Sequence, residues 1–241
     1  MLFRSTSNTV GTMDKKDFLF KFVEPRIRAK IKMDEEALFS VTDQYTADKI
    51  SNEIRKRIGA QSEQDACSPS TPTPNTPNLP TNSSKQLTSI IDATACVGGN
   101  TMSFAKQFQT VHAVELDSTR HYYLKYNMTL LGLHNVVTHH ADILQLLAEL
   151  PKADVLFLDP PWGGPNYKSQ ERLELYLSGV PLCEVCERIA RSGKARYVVL
   201  KVPVNFELKT FHERVSPFMT RIPSSTKFRK LLLLMYKISV P

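Results

Sequence analysis

The stretch Ser89-Ile-Ile-Asp-Ala-Thr-Ala-Cys-Val-Gly-Gly-Asn-Thr101 passes from a short apolar run ending in an acid, through a Gly-Gly turn, into a segment with helical spacing. A β-branched run closing on Asp92 reads as a buried strand. Gly98 and Gly99 allow backbone to approach a ligand closely, and Asn100 or Thr101 is the expected cap of the next helix. The unit recurs. Strand character returns at 111–116, 135–140, 154–158 and 196–202, and helical spacing at 101–108, 118–131, 143–150 and 173–191. Alternating strand and helix implies a parallel sheet covered on both faces. Residues 216–223 and 230–239, around Ser-Ser-Thr-Lys, read instead as two antiparallel strands. The expected fold is a doubly wound, mostly parallel α/β sheet closed by a carboxy-terminal hairpin.

Upstream, residues 67–85 hold five prolines, eleven Ser, Thr or Asn and no charge before Lys85. Such a stretch can neither build a helix interior nor bury a core, and reads as a disordered linker. It separates a flexible tail (1–19) and a helical extension (20–66) from the main domain (86–241). Within the extension, Ala47, Ile50, Ile54 and Ile58 predict a helix over 46–58.

The 241 residues are 41% apolar and 23% charged, which excludes a disordered or collagen-like chain. The apolar run Leu231 to Met235 is far too short to span a bilayer, so a soluble protein is expected. Four cysteines and no amino-terminal apolar h-region predict a reducing intracellular compartment. Cys183 and Cys186 lack a second pair at zinc spacing and read as one helical face, so no metal is expected. The net charge of +7 is uneven: residues 1–60 carry 12 basic and 9 acidic side chains, 61–192 carry 9 and 13, and 193–241 carry 10 and 2. Basic ends around an acidic middle fit either a polyanion met by the terminal segments or a surface that only keeps the protein in solution.

In open α/β sheets ligands bind beyond the carboxyl ends of the strands. The first such turn is not G-x-G-x-x-G, which counts against a nicotinamide dinucleotide. Glu115 ends the second strand, where a carboxylate can accept both hydroxyls of a ribose. Asp142 ends the third, placed either to bond an adenine amine or to cap the helix from Ile143. The fourth ends in Phe157-Leu-Asp-Pro-Pro-Trp-Gly-Gly-Pro-Asn-Tyr167. Two prolines lock an extended backbone, leaving the Asp159 side chain and nearby carbonyls as acceptors for a planar amine. Trp162 is the single tryptophan, in a loop between Pro and Gly; its plain alternative role is a loop anchor. Acid-Pro-Pro-aromatic after the fourth strand, with a Gly turn after the first, is the pattern of S-adenosylmethionine-dependent methyltransferases acting on exocyclic amines.

Phe39-Ser-Val-Thr42 before a helix, Val-Gly-Gly-Asn-Thr at 97–101, Asn127 in a helix ending at Gly132, and the Trp-Gly-Gly-Pro extension of the proline motif together resemble the trimethylguanosine synthase family. The resemblance covers about 20–240 apart from the linker. It implies a class I methyltransferase fold, Rossmann-like with seven strands, plus a small amino-terminal helical extension. The implied reaction is methylation of guanine N2 in the 7-methylguanosine RNA cap, to 2,7-dimethylguanosine, 2,2,7-trimethylguanosine or both, by a monomer without metal or membrane, in the nucleus by the resemblance with the cytoplasm as the alternative. By this resemblance Asp92, Thr94, Gly98, Asn100, Thr101, Glu115, Leu116, Asp142, Ile143 and Asp159 border S-adenosylmethionine. Asp159, Pro160 and Trp162 carry the chemistry, Trp162 stacking on the cationic base. Lys32, Phe39, Ser40, Thr42, Lys201 and Asn205 complete the substrate site, Lys32 meeting a cap phosphate.

The chain departs from that family in three places. Thr94, Ala95 and Cys96 stand where many members carry another glycine and an aromatic. Val202-Pro-Val-Asn205 lacks the family's arginine, for which Lys201 stands in. Asp159 occupies a position where some relatives have serine. The competing readings are an adenine-N6 or rRNA guanine-N2 methyltransferase and a catalytically silent RNA-binding relative.

Overall fold

The computed structural model describes residues 14–66, 87–224 and 226–239. The expected linker therefore lies outside the described residues. Among the described residues nine strands follow in chain order: β1 (Ser89–Asp92), β2 (Thr110–Glu115), β3 (Val136–His140), β4 (Ala153–Leu158), β5 (Tyr176–Leu177), β6 (Val180–Pro181), β7 (Ala195–Pro203), β8 (Met219–Ile222) and β9 (Leu231–Ile238). Seven of them form one sheet in the order β3-β2-β1-β4-β7-β9-β8. β3, β2, β1, β4 and β7 run parallel, and β9 pairs antiparallel with both β7 and β8. The seven-stranded fold with its carboxy-terminal hairpin is the one expected. Chain direction across the sheet reverses between β1 and β4, which opens a crevice at their carboxyl ends.

The helices are α1 (Lys15–Leu19), α2 (Pro25–Arg28), α3 (Ala37–Ser40), α4 (Gln44–Ala66), α5 (Gly99–Gln107), α6 (Ser118–Leu130), α7 (Ile143–Leu146), α8 (Leu182–Ser192) and α9 (Leu208–Val215), with a 3-10 turn at Pro165–Ser169. None of them is long and apolar enough to cross a membrane.

The helix expected over 173–191 is corrected. Pro181 has no N–H to give an interior turn. Ser178 and Gly179, at φ 51° and 77°, instead reverse the chain between β5 and β6, and α8 starts only at Leu182. The tail expected over 1–19 also ends earlier than predicted, since Lys15–Leu19 is helical, Asp14 caps it and Leu19 is buried. The cap of α5 is Gly98, at φ 105°, so Asn100 and Thr101 sit inside its first turn rather than capping it.

Helix α4 is an integral layer of the fold. Ile50, Ile54 and Ile58 are fully buried in one cluster with Phe104, Phe108, Phe157, Tyr197 and Met235. Burying each such side chain contributes about 1.5–3 kcal/mol, so the extension helps hold the sheet together. The opposite face packs under α7, α8 and α9, and a third cluster joins residues 19–41 to α6.

Candidate active site

The loops leaving β1 and β4 are joined directly at the switch point: the backbone N–H of Asp159 donates to Thr94 Oγ1 at 2.8 Å. Asp159 is the centre of a small network. Lys201 Nζ, near the carboxyl end of β7, donates to Asp159 Oδ2 at 2.6 Å and to Thr42 Oγ1 at 2.9 Å. Thr42 Oγ1 in turn donates to Asp159 Oδ2 at 3.2 Å and accepts from Asn100 Nδ2 at 3.0 Å. All of these bonds to the Asp159 carboxylate fall on Oδ2, and among the described residues none falls on Oδ1. Three distant segments thus meet at a single carboxylate.

Gly99 explains how residues 41–42 come so close. A Cβ there would lie 2.5 Å from the Thr42 carbonyl oxygen and 2.6 Å from a Val41 methyl. Glycine at this position serves the approach of the amino-terminal segment. Asn127, buried in α6, fixes the same segment by bonding both backbone groups of Lys32 and the Val97 carbonyl. A buried asparagine in mid-helix was the available signal for that role. Arg120, which the sequence reading did not single out, spans Asp34, Glu36, Glu115 and Asp117, linking the extension to the end of β2.

Asp92 is fully buried and accepts the Thr101 hydroxyl at 2.6 Å on Oδ2. Burial pushes its carboxyl up to about 7, opposed by the Thr101 hydrogen bond and reinforced by the nearby charge of Asp159. Its Oδ1 and the Oδ1 of Asn100 are buried without hydrogen-bond partners. Glu115 accepts the N–H of Cys96 at 2.8 Å and of Asp117 at 2.9 Å, one on each oxygen, so it braces the β1 loop and keeps a lone pair on each oxygen. Leu116 beside it is 59% exposed. Of the two roles open to Asp142, the cap is observed: Oδ1 accepts the Leu144 N–H at 2.8 Å, with Ile143 buried behind it.

This arrangement fits S-adenosylmethionine. Unpartnered acceptors on Asp92 and Asn100 suit a cationic amino-acid end, Glu115 a ribose diol, and an apolar Leu116 an adenine face. That cofactor supplies a methyl group carried on an activated sulfonium.

Trp162 is half-buried against both faces of the sheet. Its ring meets Tyr167 edge-on at 5.1 Å, and the Lys201 ammonium lies 5.1 Å from its centroid. Both readings of this residue therefore have a footing, as anchor and as platform. Pro160 is buried at the base of the loop. Asn205 sits behind it, donating to the carbonyls of Tyr167 and Gln170, which makes it a support for the loop rather than a surface group.

Of the remaining predicted substrate residues, Lys32, Phe39 and Ser40 lie apart from this network. Lys32 Nζ donates to Tyr122 Oη at 3.1 Å and lies 4.3 Å from the Tyr126 ring; the Tyr122 bond raises its pKa. It lines a cleft of about 550 Å³ with Lys16, Tyr122 and Tyr123, which none of Asp159, Trp162 and Lys201 borders. Phe39 is 75% exposed under the Lys15 ammonium, and Ser40 is exposed at the end of α3. Lys201, expected in the substrate site in place of the family's arginine, is only 7% exposed and is the internal partner of Asp159. Among the described residues no group of three or more His, Cys, Asp or Glu is arranged to hold a metal.

Comparison with known proteins agrees with this geometry. Residues 87–229 match the family model described as RNA cap guanine-N2 methyltransferase. The chain is 31% identical over 192 residues to the uncharacterized protein L320 of Acanthamoeba polyphaga mimivirus, covering 79% of this chain and 73% of that protein. It is 34% identical over 87 residues to trimethylguanosine synthase of Schizosaccharomyces pombe, covering 34% of this chain and 36% of that one. Among solved structures, a precorrin-6y C5,15-methyltransferase from Geobacter metallireducens superposes with a TM-score of 0.52 at 12% identity, over 87% of this chain and 95% of that one. A methyltransferase from Geobacter sulfurreducens gives 0.51 at 15% identity, over 90% of each chain. Fold, site and family model converge: the chain belongs to the RNA cap guanine-N2 methyltransferase family and is a methyltransferase whose methyl donor is S-adenosylmethionine.

Proposed function

We propose that this methyltransferase modifies the exocyclic N2 amine of a 7-methylguanosine RNA cap, forming 2,7-dimethyl- and 2,2,7-trimethylguanosine. The observation that carries the reading is the juxtaposition at the end of β4. There, a carboxylate with one oxygen occupied and one open stands three residues from an aromatic ring. The guanine amine has two hydrogens. Asp159 Oδ1 and the Pro160 carbonyl are two acceptors that can take one each and turn the nitrogen lone pair toward the methyl donor. Trp162 offers its ring to a base whose N7-methyl gives it a positive charge, an attraction worth about 1–2 kcal/mol when desolvated. No covalent bond to the protein is needed, and the proton released from N2 passes to Asp159 or to solvent. Action as a monomer in the nucleus carries over from the family resemblance alone and belongs to the same proposal.

The test is mass spectrometry of a 7-methylguanosine cap analogue and its unmethylated counterpart after incubation with labelled S-adenosylmethionine. Labelled N2 on the first, with efficiency about tenfold or more above the second, is expected from the cation–π difference. Equal turnover of both caps, or transfer only to uncapped RNA or to adenine, overturns the reading.

A further inference from the structure

We propose that the tip of the carboxy-terminal hairpin, through Lys227, Arg229 and Lys230, together with Lys49 of α4, binds the phosphodiester backbone of the RNA that follows the methylated guanosine. The inference rests on the RNA reading above and adds to it a second contact surface for the same substrate. Residues 221–230 contain four basic side chains and no acidic one. Lys227, Arg229 and Lys230 are exposed, and neither they nor Lys49 take part in an ion pair among the described residues.

Strand register places this tip at the mouth of the site. Pro203 pairs with Leu231 and Lys201 with Leu233, so the turn before Leu231 emerges at the carboxyl end of β7. Asp159 emerges at the same edge, because Leu158 just before it pairs with Leu200. β4 and β9 flank β7, which puts them two strand spacings, about 10 Å, apart. Lys49 reaches the tip from another element. Helix α4 begins two residues after Thr42, the partner of Asp159, and Lys49 lies about 8 Å along it. Its ammonium donates to the Lys227 carbonyl at 3.0 Å and stands 4.9 Å from the Phe228 ring. Phe228 packs against the same apolar cluster as Trp162.

The turn is anchored from beneath. The buried carboxylate of Glu53 accepts the Ser224 hydroxyl at 3.1 Å and the Thr226 hydroxyl at 2.6 Å, and also pairs with Arg57. That negative charge is taken up inside, and the side chains of Lys227, Arg229 and Lys230 leave a cationic surface to solvent. A chain of phosphates running outward from Trp162 meets this surface next.

The test is Lys227→Ala/Arg229→Ala/Lys230→Ala, first by anisotropy of a labelled, uncapped single-stranded 12-mer RNA. Loss of three phosphate contacts flattens the log–log salt dependence by about 2 and weakens binding about tenfold or more at low salt. In methyl transfer, the KM for a capped 12-mer rises about tenfold while the values for a cap dinucleotide stay within about twofold. Wild-type protein that does not bind the RNA, or a variant indistinguishable from wild type in affinity and salt slope, overturns the proposal. Because the anisotropy uses uncapped RNA, loss of binding in the variant supports this surface even if caps are not the methylated group.

Discussion

One oxygen of Asp159 lies 2.6 Å from the Lys201 ammonium and 3.2 Å from the Thr42 hydroxyl, with both charged side chains about nine-tenths buried. Removing one member of a buried pair strands the other, at a cost of about 3–5 kcal/mol, whereas removing both charges together is often close to neutral. Lys201→Met is therefore expected to lower thermal stability markedly and to reduce methyl transfer about a hundredfold. The double variant Asp159→Asn/Lys201→Met should recover most of the stability but not the activity. Thermal melts read beside a methyl-transfer assay check this. A Lys201→Met protein with wild-type melting and turnover shows that the pair is idle.

A pH signature follows from Asp92. In the unfolded chain it titrates near its ordinary value, about 3.9, and in the fold at about 7. The folded state holds the proton more tightly, so this contribution to stability is complete below pH ~4 and is lost as pH rises through about 7. The melting temperature of the free protein should fall between pH 5 and 8, with a shallower slope in Asp92→Asn. Binding of a cationic cofactor end favours the ionised form, so affinity for S-adenosylmethionine should rise roughly tenfold from pH 5.5 to 7 in wild type. Calorimetry at both pH values should find that rise absent in Asp92→Asn; a pH-independent wild type excludes Asp92 from the cofactor site.

Trp162 joins the two apolar clusters, so the variants must separate packing from stacking. Trp162→Phe retains a ring and most of the buried area, while Trp162→Ala loses both. The expected order of kcat/KM on a methylated cap is wild type, then Phe lower by about threefold to tenfold, then Ala lower by about a hundredfold or more. Cofactor affinity should stay within a few-fold throughout. If Phe and Ala variants that melt like wild type also turn over like it, Trp162 is only an anchor.

The sheet was legible because each parallel strand is a short apolar run, several of them closing on an acid, and the crevice residues Asp92, Glu115, Asp142 and Asp159 follow from that punctuation. Helix α6 was legible to within a residue, bracketed by its Asp117 cap and Gly132. Helices α1, α2 and α3, of four or five residues, are shorter than any window in which a 3.6-residue period shows. Over 173–191 the apolar spacing runs on through Pro181 and so masks the true start of α8 at Leu182. The bond between Lys201 and Asp159 was hidden for a different reason. Lys201 follows Asp159 by 42 residues, and only the pairing of β4 with β7 makes them neighbours. A lysine in a buried strand invites the search for an acid on the adjacent strand, and that is the signal that was available.

The amino-terminal region supplies the last prediction. If residues before Lys85 only decorated the domain, their removal would leave an active catalyst, since every strand among the described residues lies later in the chain. The structure argues against this from two directions. Ile50, Ile54 and Ile58 cover one face of the sheet, and Thr42 bonds Asp159, Lys201 and Asn100 at once. Exposing three buried isoleucines alone costs about 4–9 kcal/mol, comparable to the whole stability of a typical domain. Deleting residues 1–84 should therefore abolish cooperative melting and cut methyl transfer at least about a hundredfold. Thr42→Val addresses the second direction with α4 still in place: stability should fall by only about 1–3 kcal/mol, with cooperative melting retained, while kcat falls about tenfold, because Asp159 and Lys201 lose the hydroxyl between them. Excising residues 69–80 touches neither contact and should leave activity within about twofold, provided the shortened connection still spans the gap. A folded, active 85–241 fragment would refute the claim that the extension completes the site.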